Sequence, residues 1–146
     1  RQGRDVYGGG GITPDVYISN NIDFSEQTQT LLIHPDRLFF KYSNMIKNNF
    51  IQYKNSFKKF NKYILKNKGE NISIVEFTNW ANNIDESLSF SVDNIKQDWN
   101  YIENRILAEL ASAIWGKDYY YYILLNEDKQ FQISLDKVGE AKLLVH

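Results

Sequence analysis

The sequence contains no cysteine, and it has only two prolines and one methionine in 146 residues. Without thiols the chain can form no disulfide, and it has neither a thiolate metal ligand nor a cysteine nucleophile. No apolar run approaches the roughly 20 residues that a bilayer-spanning helix needs. The sequence therefore excludes cysteine-based stabilisation and catalysis and predicts no membrane span in this chain.

Net charge and histidine are also scarce. The formal net charge is -1, the isoelectric point is about 6.1, and the two histidines are His34 and His146. A nearly neutral chain is not typical of a cationic nucleic-acid binder. Neither histidine has a second ligand at a recognisable metal-binding spacing, and we interpret His34 as a surface residue at a helix end. The sequence predicts no catalytic residue, no metal ligand and no cofactor-binding residue.

Aromatic residues, by contrast, are abundant. They make up 15% of the chain and hydrophobic residues make up 42%, which predicts a folded, aromatic-rich core. Apolar residues recur at steps of three and four over most of the sequence after residue 22, as in amphipathic helices. We predict a mainly α fold, an irregular bundle of about five to seven helices over residues 23–146. A short β or extended arm precedes it in residues 1–22.

Apolar periodicity and helix-capping residues together predict the individual helices. The predicted spans are 25–33, 36–54, 57–67, 74–83, 91–116, 119–125 and 128–144, with the helix over 91–116 at the centre of the bundle. The predicted N-caps are Asp23 or Ser25, Asp36, Ser56, Ser73, Ser91, Asp118 and Asp128. Ser73 and Glu76 have the spacing of a capping box. The run from Tyr119 to Tyr122 could instead form a strand, because tyrosine favours strands.

The same periodicity predicts which side chains lie inside. On the central helix it places Glu103 on the polar face, and on the last helix it places Phe131, Leu135, Val138 and Ala141 inward. All three tryptophans fall on apolar faces. A mixture of lysines (54, 58, 59, 62, 66 and 68) and aromatic residues (53, 57, 60 and 63) resembles single-strand nucleic-acid binders. Helical spacing favours the simpler interpretation, with the aromatic residues buried and the lysines in solvent.

Four consecutive glycines, Gly8 to Gly11, form the most unusual feature of the sequence. Ordering them costs more backbone entropy than ordering any other residue type, so the run is expected where only glycine fits. A phosphate-binding loop would continue with Gly-Lys-Ser/Thr, whereas Ile12, Thr13 and Pro14 follow here. The sequence therefore favours a structural loop, or one adjacent to a cleavage site, over a phosphate site.

The residues around this run resemble the segment that closes the peptidase core in carboxyl-terminal processing (tail-specific) proteases of the S41 serine peptidase family. The motif residues are Gly3, Arg4, Tyr7, Gly8, Gly9, Gly10, Gly11, Ile12, Pro14 and Asp15. The helical part is similar, more loosely, to the C-terminal extension of Bacteroidetes-type members, through residues 95–116, 128–131 and 140–144.

The resemblance implies a function for the whole protein and a different one for this chain. In that family a serine nucleophile is activated by a lysine base, and both lie upstream of the glycine motif. This chain has neither the Gly-Ser-x-Ser-Ala segment nor the Thr-x-Gly-Lys segment, and it has no PDZ module. The resemblance thus implies a non-catalytic C-terminal part of an exported peptidase, periplasmic or membrane-anchored, with a structural, assembly or substrate-access role.

The same resemblance indicates the partners. These would be the peptidase core and PDZ domain of the same protein, with unfolded protein C-termini as substrates of the whole enzyme and no nucleic acid. Strands separated from their sheet have unpaired backbone groups, so residues 1–22 could also pair with a second copy and form a dimer. The alternative is an independent helical module that binds protein or nucleic acid.

Overall fold

The described part of the chain is a helical bundle. The computed structural model describes residues 23–85 and 88–143, and within these ranges seven α-helices have eight or more residues. The predicted fold class is therefore confirmed. The predicted N-terminal arm, residues 1–22, lies outside the described residues.

Eight α-helices and two 3-10 segments follow one another along the described chain. The helices are α1 (Glu26–Ile33), α2 (Leu38–Ile46), α3 (Phe57–Lys66), α4 (Ile74–Ile84), α5 (Val92–Ile95), α6 (Trp99–Trp115), α7 (Lys117–Leu124) and α8 (Lys129–Leu143). The 3-10 segments, Lys47–Tyr53 and Lys96–Asp98, continue α2 and α5. The run of four tyrosines lies in α7, so its strand interpretation was wrong.

Hydroxyl and carboxylate side chains start most of these helices where the sequence predicts. Ser25, Ser56, Ser73 and Ser91 each accept a hydrogen bond from the amide three residues later. Asp128 Oδ1 accepts in the same way from the Phe131 amide at 2.9 Å. These bonds satisfy amide groups that have no partner within the first helical turn, and they confirm five predicted caps.

Three predicted helix boundaries were wrong. The span 36–54 begins as α-helix only at Leu38, after Arg37 rather than Asp36, and changes to 3-10 geometry at Lys47. The span 91–116 is interrupted by the 3-10 segment Lys96–Asp98. Helix α7 begins at Lys117, so Asp118 lies in its first turn and does not cap it. Apolar periodicity separates the two helix types poorly, because side chains three residues apart share a face in both of them.

The core surrounds α6, whose Ile102, Ile106 and Leu110 are fully buried. Helices α2 and α7 make the most extensive contacts with it. Aromatic rings fill much of the remaining space, led by Tyr42, Phe60, Phe77 and Trp99, while Trp80 and Trp115 are half-buried against the core. Lys47 Nζ donates to the Ala113 carbonyl at 2.9 Å and so attaches the 3-10 segment to the end of α6.

Four predictions of side-chain direction were also wrong. Leu135 and Val138 of α8 are 52% and 51% exposed, and Tyr63 of α3 is 38% exposed. Glu103, predicted on the polar face, is 2% exposed. A periodic pattern identifies one face of a helix, but whether another element packs on that face depends on the rest of the fold. The prediction for Ala141 lies outside the described side chains.

Candidate functional site

The ten motif residues of the glycine segment lie outside the described residues, as does His146. The structure therefore gives no geometry for Gly3, Arg4, Tyr7, Gly8, Gly9, Gly10, Gly11, Ile12, Pro14 or Asp15.

His34 was predicted at the surface, and this was wrong. Its side chain is only 7% exposed, and Nε2 lies 3.5 Å from Asp85 Oδ2. Its Nδ1 accepts a hydrogen bond from the Asp36 amide at 3.2 Å. An imidazole that accepts at Nδ1 carries its proton on Nε2 when neutral, which directs that proton toward Asp85. His34 thus connects the end of α1 to the end of α4, which is a structural role.

The lysines lie where the sequence places them. Residues 54, 58, 59, 62, 66 and 68 are all exposed, and the Lys68 ammonium pairs with Glu127 at 2.8 Å. Within the described ranges no group of three or more histidine, aspartate or glutamate side chains could hold a metal ion. No helix in those ranges is both long and apolar enough to cross a bilayer.

Among the described side chains, Glu103 accepts the most hydrogen bonds. It points from α6 into the loop between α3 and α4. Its Oε2 accepts from the Gly69 amide at 2.7 Å and from Asn71 Nδ2 at 3.2 Å. Its Oε1 accepts from the Ile72 amide at 3.0 Å. A buried carboxylate requires such donors, because burial without them costs several kcal/mol. Glu103 therefore fixes the loop against the central helix.

The loop also depends on the backbone of Gly69. Its φ is +82°, and a Cβ built there would lie 2.7 Å from Asn100 Oδ1. The Gly69 carbonyl accepts from Trp99 Nε1 at 3.1 Å. The loop is thus bonded to α6 through both its amide and its carbonyl, at a position that glycine alone fits without strain.

Asn71 belongs to the same loop and lines two cavities. Its Nδ2 donates to Glu103 and also to the Ile64 carbonyl at 3.0 Å, whereas its Oδ1 is buried and has no partner among the described residues. A void of about 20 Å³ beside Asn71 and Asn100 is large enough for one water. Asn71 also lines a second, larger cavity.

This second cavity, named here the Tyr42–Glu76 cavity, has a volume of about 160 Å³ and lies between α2, α3 and the start of α4. Its walls combine aromatic rings with amide, hydroxyl and carboxylate groups. Tyr42, Phe50, Tyr63, Asn71 and Glu76 are among the lining residues.

Tyr42 is the most buried polar side chain of this cavity, at 1% exposure. Its ring packs edge-on against Phe77 and lies 4.9 Å from Trp80 between ring centroids. Burial, and secondarily the charge of Glu76, raises the pKa of the Tyr42 hydroxyl above its usual value. The hydroxyl therefore stays protonated at neutral pH, and among the described residues no hydrogen bond engages it.

Glu76 contributes a free carboxylate to the same cavity. Ser73 Oγ accepts from the Glu76 amide at 3.2 Å, which is half of the predicted capping box. The reciprocal bond from the Ser73 amide to the Glu76 carboxylate is not formed among the described residues, so this half of the prediction was wrong. The Glu76 carboxylate also has no ion-pair partner there and remains free to bind other groups.

A third cavity, of about 120 Å³, contains two arginines but has mixed charge. Arg37, in a left-handed conformation with φ 51°, lies 4.7 Å from the Phe40 ring centroid, and Arg105 lies 5.7 Å from that of Tyr120. Glu109 lines the same cavity and offsets part of their charge. Both guanidinium groups already lie over aromatic rings, an arrangement that stabilises cations.

Sequence reasoning missed the roles of Glu103 and Tyr42. The signal for Glu103 was present, because it lies four residues after Trp99 and four before Leu107, on the apolar face of α6. The predicted stripe omitted Glu103 because charged residues are rarely buried. Tyr42 was correctly predicted on the apolar face of its helix, but periodicity does not indicate which groups surround its hydroxyl.

Comparisons with known proteins identify no relative: no protein-family model, curated protein or solved structure matches the chain. The resemblance to S41 peptidases therefore stays a prediction from the sequence.

Proposed function

We propose that this chain is a non-catalytic region of a tail-specific serine peptidase of the S41 family, exported to the periplasm or anchored facing it. The single observation that carries the proposal is the glycine motif from Gly3 to Asp15, with its Gly-Arg-x-Val-Tyr and Gly-Gly-Gly-Ile-x-Pro-Asp parts. The helical residues would support the peptidase core, mediate assembly or shape substrate access.

The geometry of the bundle is compatible with a supporting role. A continuous hydrophobic core holds α2, α3, α4 and α6 together, and the Glu103 bonds fix the α3–α4 loop against the central helix. A bundle with such a core can contact another domain without large rearrangement, because packed cores resist deformation. The partners in this proposal are the peptidase core and PDZ domain of the same polypeptide.

The test compares the whole polypeptide encoded by the reading frame with the 146-residue chain. We expect the whole protein to contain a serine and lysine pair upstream and to cleave an unstructured peptide from its C-terminal end. We expect the isolated chain to cleave nothing, because it contains neither catalytic segment. A reading frame without a serine peptidase segment, or serine-dependent cleavage by the isolated chain, would overturn the proposal.

The supporting role has its own test. Removal of residues 23–146 from the whole protein should lower its stability, change its oligomeric state or change its cleavage rate. Wild-type behaviour in all three measurements would show that the bundle plays no such role, even if the family assignment were correct.

A second candidate is an independent helical binding module, and the Tyr42–Glu76 cavity favours it. Buried polar groups without partners are rare in folded proteins. A cavity lined by Asn71, whose buried Oδ1 has no partner among the described residues, is therefore a candidate ligand site. A reading frame without the peptidase segments would favour this candidate. Binding to single-stranded oligonucleotides that weakens steeply with salt would identify its nucleic-acid version.

A further inference from the structure

We propose that the Tyr42–Glu76 cavity binds a primary ammonium group, carried by a small alkylamine or by a lysine side chain. The inference does not depend on the peptidase proposal, because it follows from the chemistry of the cavity walls. It concerns residues to which sequence analysis assigned only structural roles.

The charge of the cavity favours a cation. Glu76 is the one charged side chain among its lining residues, and its carboxylate has neither an ion pair nor a hydrogen bond within the described ranges. The Glu76 side chain is exposed, so its carboxylate is accessible to a ligand. A cation is attracted to such a carboxylate, and the attraction strengthens where the bound ligand itself excludes water. An anionic ligand would be repelled by the same carboxylate.

The hydrogen-bonding capacity of the cavity matches an ammonium group in particular. Such a group has three donors and no acceptor. Three residues that line the cavity have side-chain oxygens that can accept from it, namely Glu76, Tyr42 and Asn71. Asn71 Oδ1 is buried and has no partner among the described residues. A ligand in this position would satisfy Asn71 Oδ1, a group that is costly to leave buried and unpaired.

The remaining walls suit an alkyl chain that ends in a cation. The rings of Tyr42, Phe50 and Tyr63 line the cavity, and aromatic faces attract ammonium groups. Ile46 and Ile72 add aliphatic surface against which methylene groups can pack. The volume of about 160 Å³ is several times the roughly 30 Å³ share of one water in the liquid, so there is room for more than solvent.

The experiment is a titration of the 146-residue chain with n-butylammonium chloride at constant ionic strength, followed by amide chemical shifts in NMR spectra. We expect saturable shifts concentrated at residues 71–76 and at Tyr42. The matched neutral probe is n-butanol, which has the same alkyl chain and should bind at least about tenfold more weakly, because it lacks the charge-assisted bond.

A third probe, Nα-acetyl-lysine N-methylamide, distinguishes the two sources of the ammonium group. Saturable shifts of the same resonances would identify a lysine side chain as a possible ligand. Binding of butylammonium without binding of the lysine compound would assign the cavity to small amines. Both outcomes support ammonium recognition.

Two substitutions provide the matched comparison. Glu76→Gln removes the charge with little change of shape and should weaken butylammonium binding at least about tenfold. Glu70→Gln removes an exposed carboxylate that does not line the cavity, and it should change binding by less than about twofold. Tyr42→Phe removes one acceptor and should weaken binding about threefold.

Several outcomes would overturn the inference. The absence of saturable shifts with butylammonium would mean that the cavity holds only water. Equal affinities for butylammonium and butanol, or equal effects of the Glu76 and Glu70 substitutions, would show that Glu76 recognises no cation. Shifts spread over all exposed carboxylates would indicate nonspecific attraction.

Discussion

Glu103 bonds to the Asn71 side chain and Glu76 lines a cavity together with Asn71, yet the surroundings of the two carboxylates differ. Glu103 is 2% exposed and accepts three hydrogen bonds from the α3–α4 loop. Glu76 is exposed and accepts none within the described residues. The first carboxylate is committed to the fold, whereas the second is free to bind something else.

This difference separates a carboxylate whose hydrogen bonds are made within the fold from one that is open to a ligand. A buried group whose bonds are all made contributes to a unique fold, and losing it leaves its partners unpaired. A polar group that faces a cavity without partners contributes little to stability and can gain from a ligand. The comparison predicts that stability and binding will respond to different substitutions.

The largest expected effect is that of Glu103→Ala. The change leaves the Gly69 and Ile72 amides without their acceptor, so the free energy of unfolding should fall by about 3 kcal/mol or more. Glu76→Ala is the matched control and should cost less than about 1 kcal/mol, since it removes only a favourable charge near a helix N-terminus. Urea unfolding followed by circular dichroism measures both. Similar losses for the two variants would show that the two carboxylates do not differ in their contribution to stability.

A smaller loss is expected for Gly69→Ala. The positive φ and the approach of the new Cβ to Asn100 Oδ1 should together cost about 2 kcal/mol. Most of this comes from the backbone, because Asn100 is exposed and the end of its side chain can move. Asn100→Ala in the same chain should recover part of this loss by removing the clash. Gly116→Ala is the control, because its φ is also positive but no atom lies within 4 Å of the added Cβ. If Asn100→Ala rescued both glycine variants equally, the contact with Gly69 would not be specific.

The smallest expected effect is that of Tyr42→Phe at neutral pH. The hydroxyl has no hydrogen-bond partner among the described residues, so its removal should change the free energy of unfolding by less than about 1 kcal/mol. A loss as large as that of Glu103→Ala would mean that the hydroxyl is structural.

The same variant should respond differently to alkaline pH. The pKa of Tyr42 is raised by burial and by the charge of Glu76. As the pH rises above about 10, the unfolded chain loses the Tyr42 proton while the folded chain retains it, so folding becomes less stable. The loss continues until the pH passes the raised pKa, and Tyr42→Phe should make it shallower. Tyr121→Phe, which removes an exposed hydroxyl, controls for the loss of one phenol.

Much of the fold followed from local chemistry. The serine caps at positions 25, 56, 73 and 91 and the Asp128 cap lie where their side chains predict, because capping bonds join residues three apart. The solvent-exposed lysines followed from helical spacing in the same way. Among the errors, those at Arg37, Lys96–Asp98 and α8 arose where helix geometry or the packing of another element decided the outcome.

The candidate site was much less predictable. Tyr42, Asn71 and Glu76 come from different elements, and nothing in their spacing along the chain indicates that they line one cavity. The predicted bond from the Ser73 amide to the Glu76 carboxylate did not form among the described residues. Only the bond from the Glu76 amide to Ser73 Oγ formed. A glutamate at this position can accept from the amide of the N-cap residue or extend toward the cavity. The two conformations differ little in free energy, so the sequence motif does not predict which one forms.

By itself the sequence determined the helical class, most helix starts, the aromatic core and the motif that resembles S41 peptidases. These features depend on residues within one or two turns of each other, so their chemistry can be recognised along the chain. The tertiary structure alone decided that Glu103 is buried and Glu76 is free. Both are glutamates on amphipathic helices, and only the position of the α3–α4 loop relative to α6 determines which of them meets backbone donors and which meets a cavity.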